Sequence, residues 1–230
     1  MIYILYCLIF IVQQSAGTDI LFNENFNNLN NWEAFKFATG KTESLFLIDS
    51  LSGQPVLRAE SNASASGYIG NWHFDPFQYP FVCWRWRVDR LIPNADGRTK
   101  DTDDYPLRIF VMFREDESEL NLFQKIQNAA LKLVYGFDPP HSSISYVWSN
   151  SADTDSTYSS PYTDDVQIIC LRNSADIMSG WKDEQVNLLD DYRRCFNESP
   201  PSLAAVAIMC DSDNTGKSSL AFLDFIKVSR

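Results

Sequence analysis

The chain has 230 residues, 45% of them apolar, and a formal net charge of −11. That length and apolar content suit one domain with a sizeable core and exclude a chain disordered throughout. The acidity excludes the clustered basic field that nucleic acid or anionic lipid requires, so no nucleic-acid partner is expected.

Residues Ile2 to Val12 form an apolar run, shorter than the roughly 20 residues a membrane span needs. Ser15 and Gly17 are the small residues expected just before a cut at Thr18, although the Lys or Arg that ordinarily precedes such a run is missing, and an uncleaved anchor is the alternative. Residues 1–17 therefore read as a signal peptide. A single domain over 18–230 follows, secreted or periplasmic, with no stable membrane insertion once the signal is removed.

Runs bounded by turn residues then predict strands at Ile20–Phe26, Ser44–Ile48, Pro55–Glu60, Ser66–Phe74, Phe81–Val88 and Pro106–Phe113. The alternation is sharpest in Phe81–Val88, where Val82, Trp84, Trp86 and Val88 share one side and Cys83, Arg85 and Arg87 the other. From Glu119 to Tyr135, apolar residues recur at helical spacing up to Gly136. Further strands are predicted at Ser143–Ser149, Val166–Leu171, Ala204–Cys210 and Ser219–Val228, and a second helix over Asp183–Phe196. Many strands and two helical insertions predict a mostly β protein, a β-sandwich or jelly roll with the helices on its flank.

Four cysteines remain after the signal: Cys83, Cys170, Cys195 and Cys210. They allow three pairings, and their wide spacing excludes a zinc cluster. The sequons at Asn62 and Asn197 would carry glycans in a eukaryotic secretory route. No GxSxG motif or phosphate-cradling loop is present, and the only histidines, His73 and His141, lack ligand-like neighbours.

Three clusters carry the chemistry. Arg85 and Arg87 share a strand face and suit either acidic groups of a ligand or an internal ion-pair network. Asp103 and Asp104 precede a strand carrying Arg108, and such acids serve as a solvated loop, a cation site or an acid–base pair. Asp211, Asp213 and Asn214 form a turn after the Ala204–Cys210 strand, where clustered oxygens also suit Ca²⁺. Tyr146 and Trp148 share a face and suit either a stacking platform for a sugar or, for Trp148 above all, core packing, while Tyr158 and Tyr162 lie nearby in the sequence.

The ordered set of these pieces resembles the bacterial family catalogued as domain of unknown function 3047. The residues that carry the likeness are Pro55–Glu60, Trp84-Arg85-Trp86-Arg87-Val88, Asp103-Asp104-Tyr105-Pro106 with Arg108, and Tyr146-Val147-Trp148. Ser160–Thr163, Asp190–Arg193, Ala207–Met209 and Asp213–Gly216 complete the set. The resemblance spans about Phe22 to Val228 and implies an exported protein, with no catalytic residue to transfer. A weaker likeness to carbohydrate-binding jelly rolls implies a structural calcium held by Glu24 and Asp224, acids on an early and a last strand.

The function expected is a glycan-binding or envelope-associated module that takes a polysaccharide or oligosaccharide through Arg85, Arg87, Asp103, Asp104, Arg108, Tyr146, Trp148, Asp211, Asp213 and Asn214. One alternative is a polysaccharide hydrolase or lyase using Asp103, Asp104 or Asp211. Another is a structural protein with an internal Arg–Asp network.

Overall fold

Alternation of large apolar and polar side chains, as along Phe81–Arg90, gives sheets an apolar face that must be covered by a second sheet. In a computed structural model of the chain, residues 19–36, 40–115, 140–151 and 157–230 are described. The first strands are β1 (Ile20–Glu24), β2 (Trp32–Lys36), β3 (Leu45–Leu51), β4 (Gln54–Asn62), β5 (Ala65–Phe74), β6 (Phe81–Arg90) and β7 (Arg108–Arg114). They are followed by β8 (Ser142–Trp148), β9 (Thr157–Ser159), β10 (Val166–Arg172), β11 (Lys182–Asn187), β12 (Leu203–Asp211) and β13 (Ser218–Ser229). A 3₁₀ turn, Ser174–Ser179, precedes β11, and the helix α1 (Leu188–Phe196) follows it.

One sheet runs β11-β6-β13-β4-β3, with β1 also against β13; the other runs β2-β5-β12-β7-β8-β10-β9. The pairings are antiparallel except β8 with β10, which run parallel. The protein is a mostly β, two-sheet sandwich. Val82, Trp84, Trp86 and Val88 of β6 are fully buried. Across the core the Trp84 ring lies 5.4 Å from Tyr146, and Trp86 lies 5.7 Å from Trp148. β3 turns into β4 through Ser52 and Gly53, both at positive φ, as a tight hairpin with the native strand twist requires.

The helix expected over Asp183–Phe196 divides in two. Lys182–Asn187 pairs along β6 from Lys182↔Trp86 to Asn187↔Phe81, so this half is a strand. Helix begins only where the Asn187 side chain accepts from the Leu189 N–H at 3.0 Å, capping α1. Val186 fits both spacings, and the sheet edge decides between them. α1 packs through Tyr192, whose ring lies 4.8 Å from Phe113. The helix expected over 119–135 and the signal peptide lie outside the described residues. No helix among the described residues is long and apolar enough to cross a membrane. Cys83, Cys195 and Cys210 are free thiols, and burial pushes Cys195 up to about 11 and Cys210 up to about 12.

Candidate functional site

At one end of the second sheet, the start of β7 and the end of β12 lie side by side, which brings two of the sequence clusters together. Met209 pairs with Arg108, and two residues later Asp211 turns its carboxylate onto the guanidinium. Arg108 Nε donates to Asp211 Oδ1 at 2.9 Å, and an Nη to Asp211 Oδ2 at 2.5 Å. The same guanidinium donates to the Asp103 carboxylate at 3.2 Å and to its backbone carbonyl at 2.7 Å. Beneath it lies the Tyr105 ring, 4.5 Å from the guanidinium carbon. Tyr105 and Asp211 also bond reciprocally: the Asp211 N–H donates to the Tyr105 carbonyl, and the Tyr105 N–H to Asp211 Oδ1.

Arg108 is 4% exposed, and Asp103, Asp104 and Asp211 are buried with it. Burial of the Asp211 carboxylate, reinforced by Asp103 and Asp104, outweighs the pull of Arg108 and pushes its pKa up to about 7. For Arg108, the two aspartates outweigh burial and hold its pKa well above the ordinary value.

Asp104 does different work. Its two oxygens accept the backbone N–H groups of Asn214 and Thr215, at 3.2 and 2.7 Å. The buried acid thereby fixes the turn after β12 and presents Asn214 at the surface. The Asn214 amide donates to the Lys100 carbonyl and to the Tyr162 hydroxyl, the latter at 2.8 Å. Tyr162 in turn donates to the Lys100 carbonyl at 3.0 Å, and the Lys100 ammonium lies 5.5 Å from its ring centre. Yet Tyr162 is 55% exposed. Beside this rim Asp213 meets Lys41 at 2.5 Å.

Oxygens of Asp104, Asp211 and Asp213 lie within 4.8 Å of one another, a spacing a hard cation could span. Protein donors already engage them: two N–H groups on Asp104, Arg108 and an N–H on Asp211, and Lys41 on Asp213. Beside this cluster, the Tyr105 and Tyr158 hydroxyls share a hydrogen bond, and the exposed Arg98 lies 4.7 Å above the Tyr158 ring. Burial pushes both phenols above their ordinary values.

The other expected site residues lie elsewhere. Arg85 is bidentate to Asp183, at 2.7 and 3.0 Å, and 3.5 Å from Asp224 on the outer face of the first sheet. Arg87 meets Asp89 at 2.6 Å and stands over the rings of Phe222 and Trp181. These arginines do not join Arg108 in one site. The stacking platform of Tyr146 and Trp148 is corrected outright, because both rings are fully buried between the sheets. Their polar tips are satisfied internally, Tyr146 by Asp191 at 2.8 Å and Trp148 by the Asn173 carbonyl at 2.9 Å.

The calcium pair is corrected as well. Glu24 is buried and accepts from the Phe26 N–H and the Trp32 indole, whereas Asp224 serves Arg85 on the outer face. The two acids share no site, because the bulge between Leu223 and Phe225 breaks the alternation of β13 there.

Sequence reasoning missed Lys41 and Asp183 as partners. Lys41 lies far from Asp213 along the chain, with nothing local to mark it. Asp183 was hidden by reading its strand as helix.

A family model described as "Protein of unknown function (DUF3047)" matches residues 30–227. No curated protein matches the sequence. Among solved structures, the enzymatically active domain of bacteriophage CBA120 tailspike protein 4 is similar at 8% identity and a TM-score of 0.40. That match covers 90% of this chain and 20% of the tailspike, so the chain spans about one fifth of its length. Endoglucanase 3 of Trichoderma harzianum, from family GH12, is similar at 8% identity and a TM-score of 0.44, over 93% of this chain and 96% of that one. The metal-free lectin I-B4 of Griffonia simplicifolia is similar at 11% identity and a TM-score of 0.41, over 90% and 98%.

Proposed function

The chain belongs to the DUF3047 family, and for this member we propose an exported, glycan-binding module whose ligand contacts the rim formed by Tyr162, Lys100 and Asn214. One observation carries the reading: the Tyr162 ring is more than half exposed, yet its hydroxyl is held from two sides by Asn214 and the Lys100 carbonyl. A ring fixed before the ligand arrives has already lost the freedom that binding would otherwise cost. Its flat apolar face suits a sugar ring, and the nearby amide, ammonium and carboxylate groups suit hydroxyls. In this reading Asp103, Asp104, Arg108 and Asp211 position the rim, and Asn214 and Asp213 touch the ligand. Export is inferred from the apolar run Ile2–Val12 and the small residues Ser15 and Gly17.

Native mass spectrometry with neutral and acidic oligosaccharides tests the reading. Intact adducts are expected, and Tyr162→Ala weakens them about two- to tenfold, the loss of one aromatic contact, while Arg85→Ala leaves them unchanged. Adducts indifferent to Tyr162→Ala, or none across the panel, would sink the proposal. A polysaccharide hydrolase or lyase is the second reading, favoured by one fact: Asp211, held near 7, has oxygens close to those of Asp104 and Asp213. Shortened or unsaturated sugars in the same spectra would establish it. A silent panel returns the Arg108 cluster to a purely structural role.

A further inference from the structure

A hydrogen-bond donor committed inside a protein cannot serve a ligand, so the donors and acceptors left over at a surface limit what it recognises. Asn214 shows this most sharply. Its backbone N–H is held by Asp104. Its side-chain amide donates to the Lys100 carbonyl and to the Tyr162 hydroxyl, which commits both of its N–H bonds. A carbonyl can only accept, so the amide cannot turn over and offer its nitrogen outward. Asn214 Oδ1 accepts from no group among the described residues, yet it is not one of the buried atoms left without a partner. That oxygen therefore faces solvent, beside the hydroxyl edge of the exposed Tyr162 ring.

The other fixed groups have the same polarity. Tyr162 donates its one O–H to the Lys100 carbonyl, so its hydroxyl has no proton left for a ligand. Asp213 accepts from Lys41 and has nothing to donate. Lys41 is thereby engaged, and Arg98 stands over the Tyr158 ring with Asp96 3.4 Å away. At the Tyr162 ring itself the available donor is the Lys100 ammonium, 5.5 Å from the ring centre, exposed and paired with no carboxylate among the described residues. It rides on a flexible stem, whereas the acceptor on Asn214 is held in place by three hydrogen bonds from its own residue. Asp101, exposed and next to Lys100 in the chain, adds a further negative charge.

Resting on the reading of this rim as a glycan site, we infer that its ligand is a neutral oligosaccharide and that Asn214 selects it by accepting a hydrogen bond from one of its hydroxyls. A sugar hydroxyl both donates and accepts, so it satisfies Asn214 Oδ1 and the Lys100 ammonium together. A carboxylate or sulfate only accepts, and in the same place it would lie against Asn214 and Asp213 with nothing to give either. The −11 charge of the chain adds long-range repulsion against any anionic ligand.

Isothermal titration calorimetry of the full chain tests the inference. The probes are neutral oligosaccharides of glucose, galactose and mannose, each beside its O-methylated form and its uronic acid counterpart. O-methylation keeps an apolar face for Tyr162 but removes every donor, and it is expected to weaken the sugar that binds by at least about fivefold. The uronic form is expected to bind at least about tenfold more weakly at low salt, with the gap narrowing as salt is added. Lys100→Gln keeps the backbone carbonyl that fixes the ring and still carries a donor, so it leaves the neutral sugar within about threefold. An O-methylated sugar that binds unchanged, or a uronic form that binds as tightly as the neutral one, overturns the inference. Sensitivity to Tyr162→Ala in those same titrations would still leave the rim as the site. Binding that ignores Tyr162→Ala, or no binding by any probe, overturns the rim and this inference with it.

Discussion

Arg108 and Arg85 each meet two aspartates and an aromatic ring, but one pairing is sealed and the other washed by solvent. Arg108 is 4% exposed, over Tyr105 and between Asp103 and Asp211. The Arg85 side chain is 41% exposed, 5.8 Å from the Phe225 ring and paired with Asp183 and Asp224. The hydrogen-bond pattern barely distinguishes them, since both guanidiniums are bidentate to one carboxylate. Their surroundings do. Removing one partner of a buried pair leaves a charge with neither water nor counter-ion, whereas water replaces a lost partner at the surface.

The widest separation comes from removing each arginine. Arg108→Ala is expected to cost about 3–5 kcal/mol, because Asp103 and Asp211 are left buried together without their cation. Urea denaturation measures it, and a cost below that of Arg85→Ala would reverse the comparison. Next is the pH response of Asp211. Its folded pKa of about 7 lies above the ordinary 3.8, so between roughly pH 4 and 7 the folded state holds a proton that the unfolded chain has released. Stability from this group is complete below pH 4 and falls as pH rises toward 7, by at most about 1.4 kcal/mol per pH unit. Urea midpoints of wild type and Asp211→Asn across this range should diverge in that sense, with Asp211's share of the slope absent in the variant. The smallest effect belongs to Arg85→Ala, about 0–1 kcal/mol and shrinking as salt is added. A cost that ignored salt would show that this surface pair is better shielded than its exposure says.

Most strands were legible because their alternation reports a half-buried surface, and Trp84, Trp86 and Val88 lie where that pattern puts them. β2, β9 and β11 were missed for a common reason. They are short edge strands with polar or mixed residues, and their conformation comes from a neighbour rather than from their own pattern. Within the site, Asp103, Asp104, Arg108, Asp211 and Asn214 could be singled out as unusual polar groups beside strand ends. Their division of labour could not. Nothing in the sequence says that Asp104 serves two backbone N–H groups while Asp211, otherwise similar, serves an arginine. Tyr146 and Trp148 show the converse failure, since alternation gives the shared face of a strand but not whether that face is inside or outside. Arg85 and Arg87 were grouped with Arg108 by residue type, and only the pairing of β6 with β11 separates them.

The order of strands in the sheets has a consequence for how the chain is made. β12 lies between β5 and β7, and β13 between β6 and β4, so strands synthesised after their neighbours occupy the middle of both sheets. Until they leave the ribosome, the earlier strands have no central partners to close around. A nascent chain therefore cannot complete either sheet before β12 and β13 have emerged. A message cut short after β11 yields no smaller version of the domain, only two interrupted half-sheets for proteases to clear.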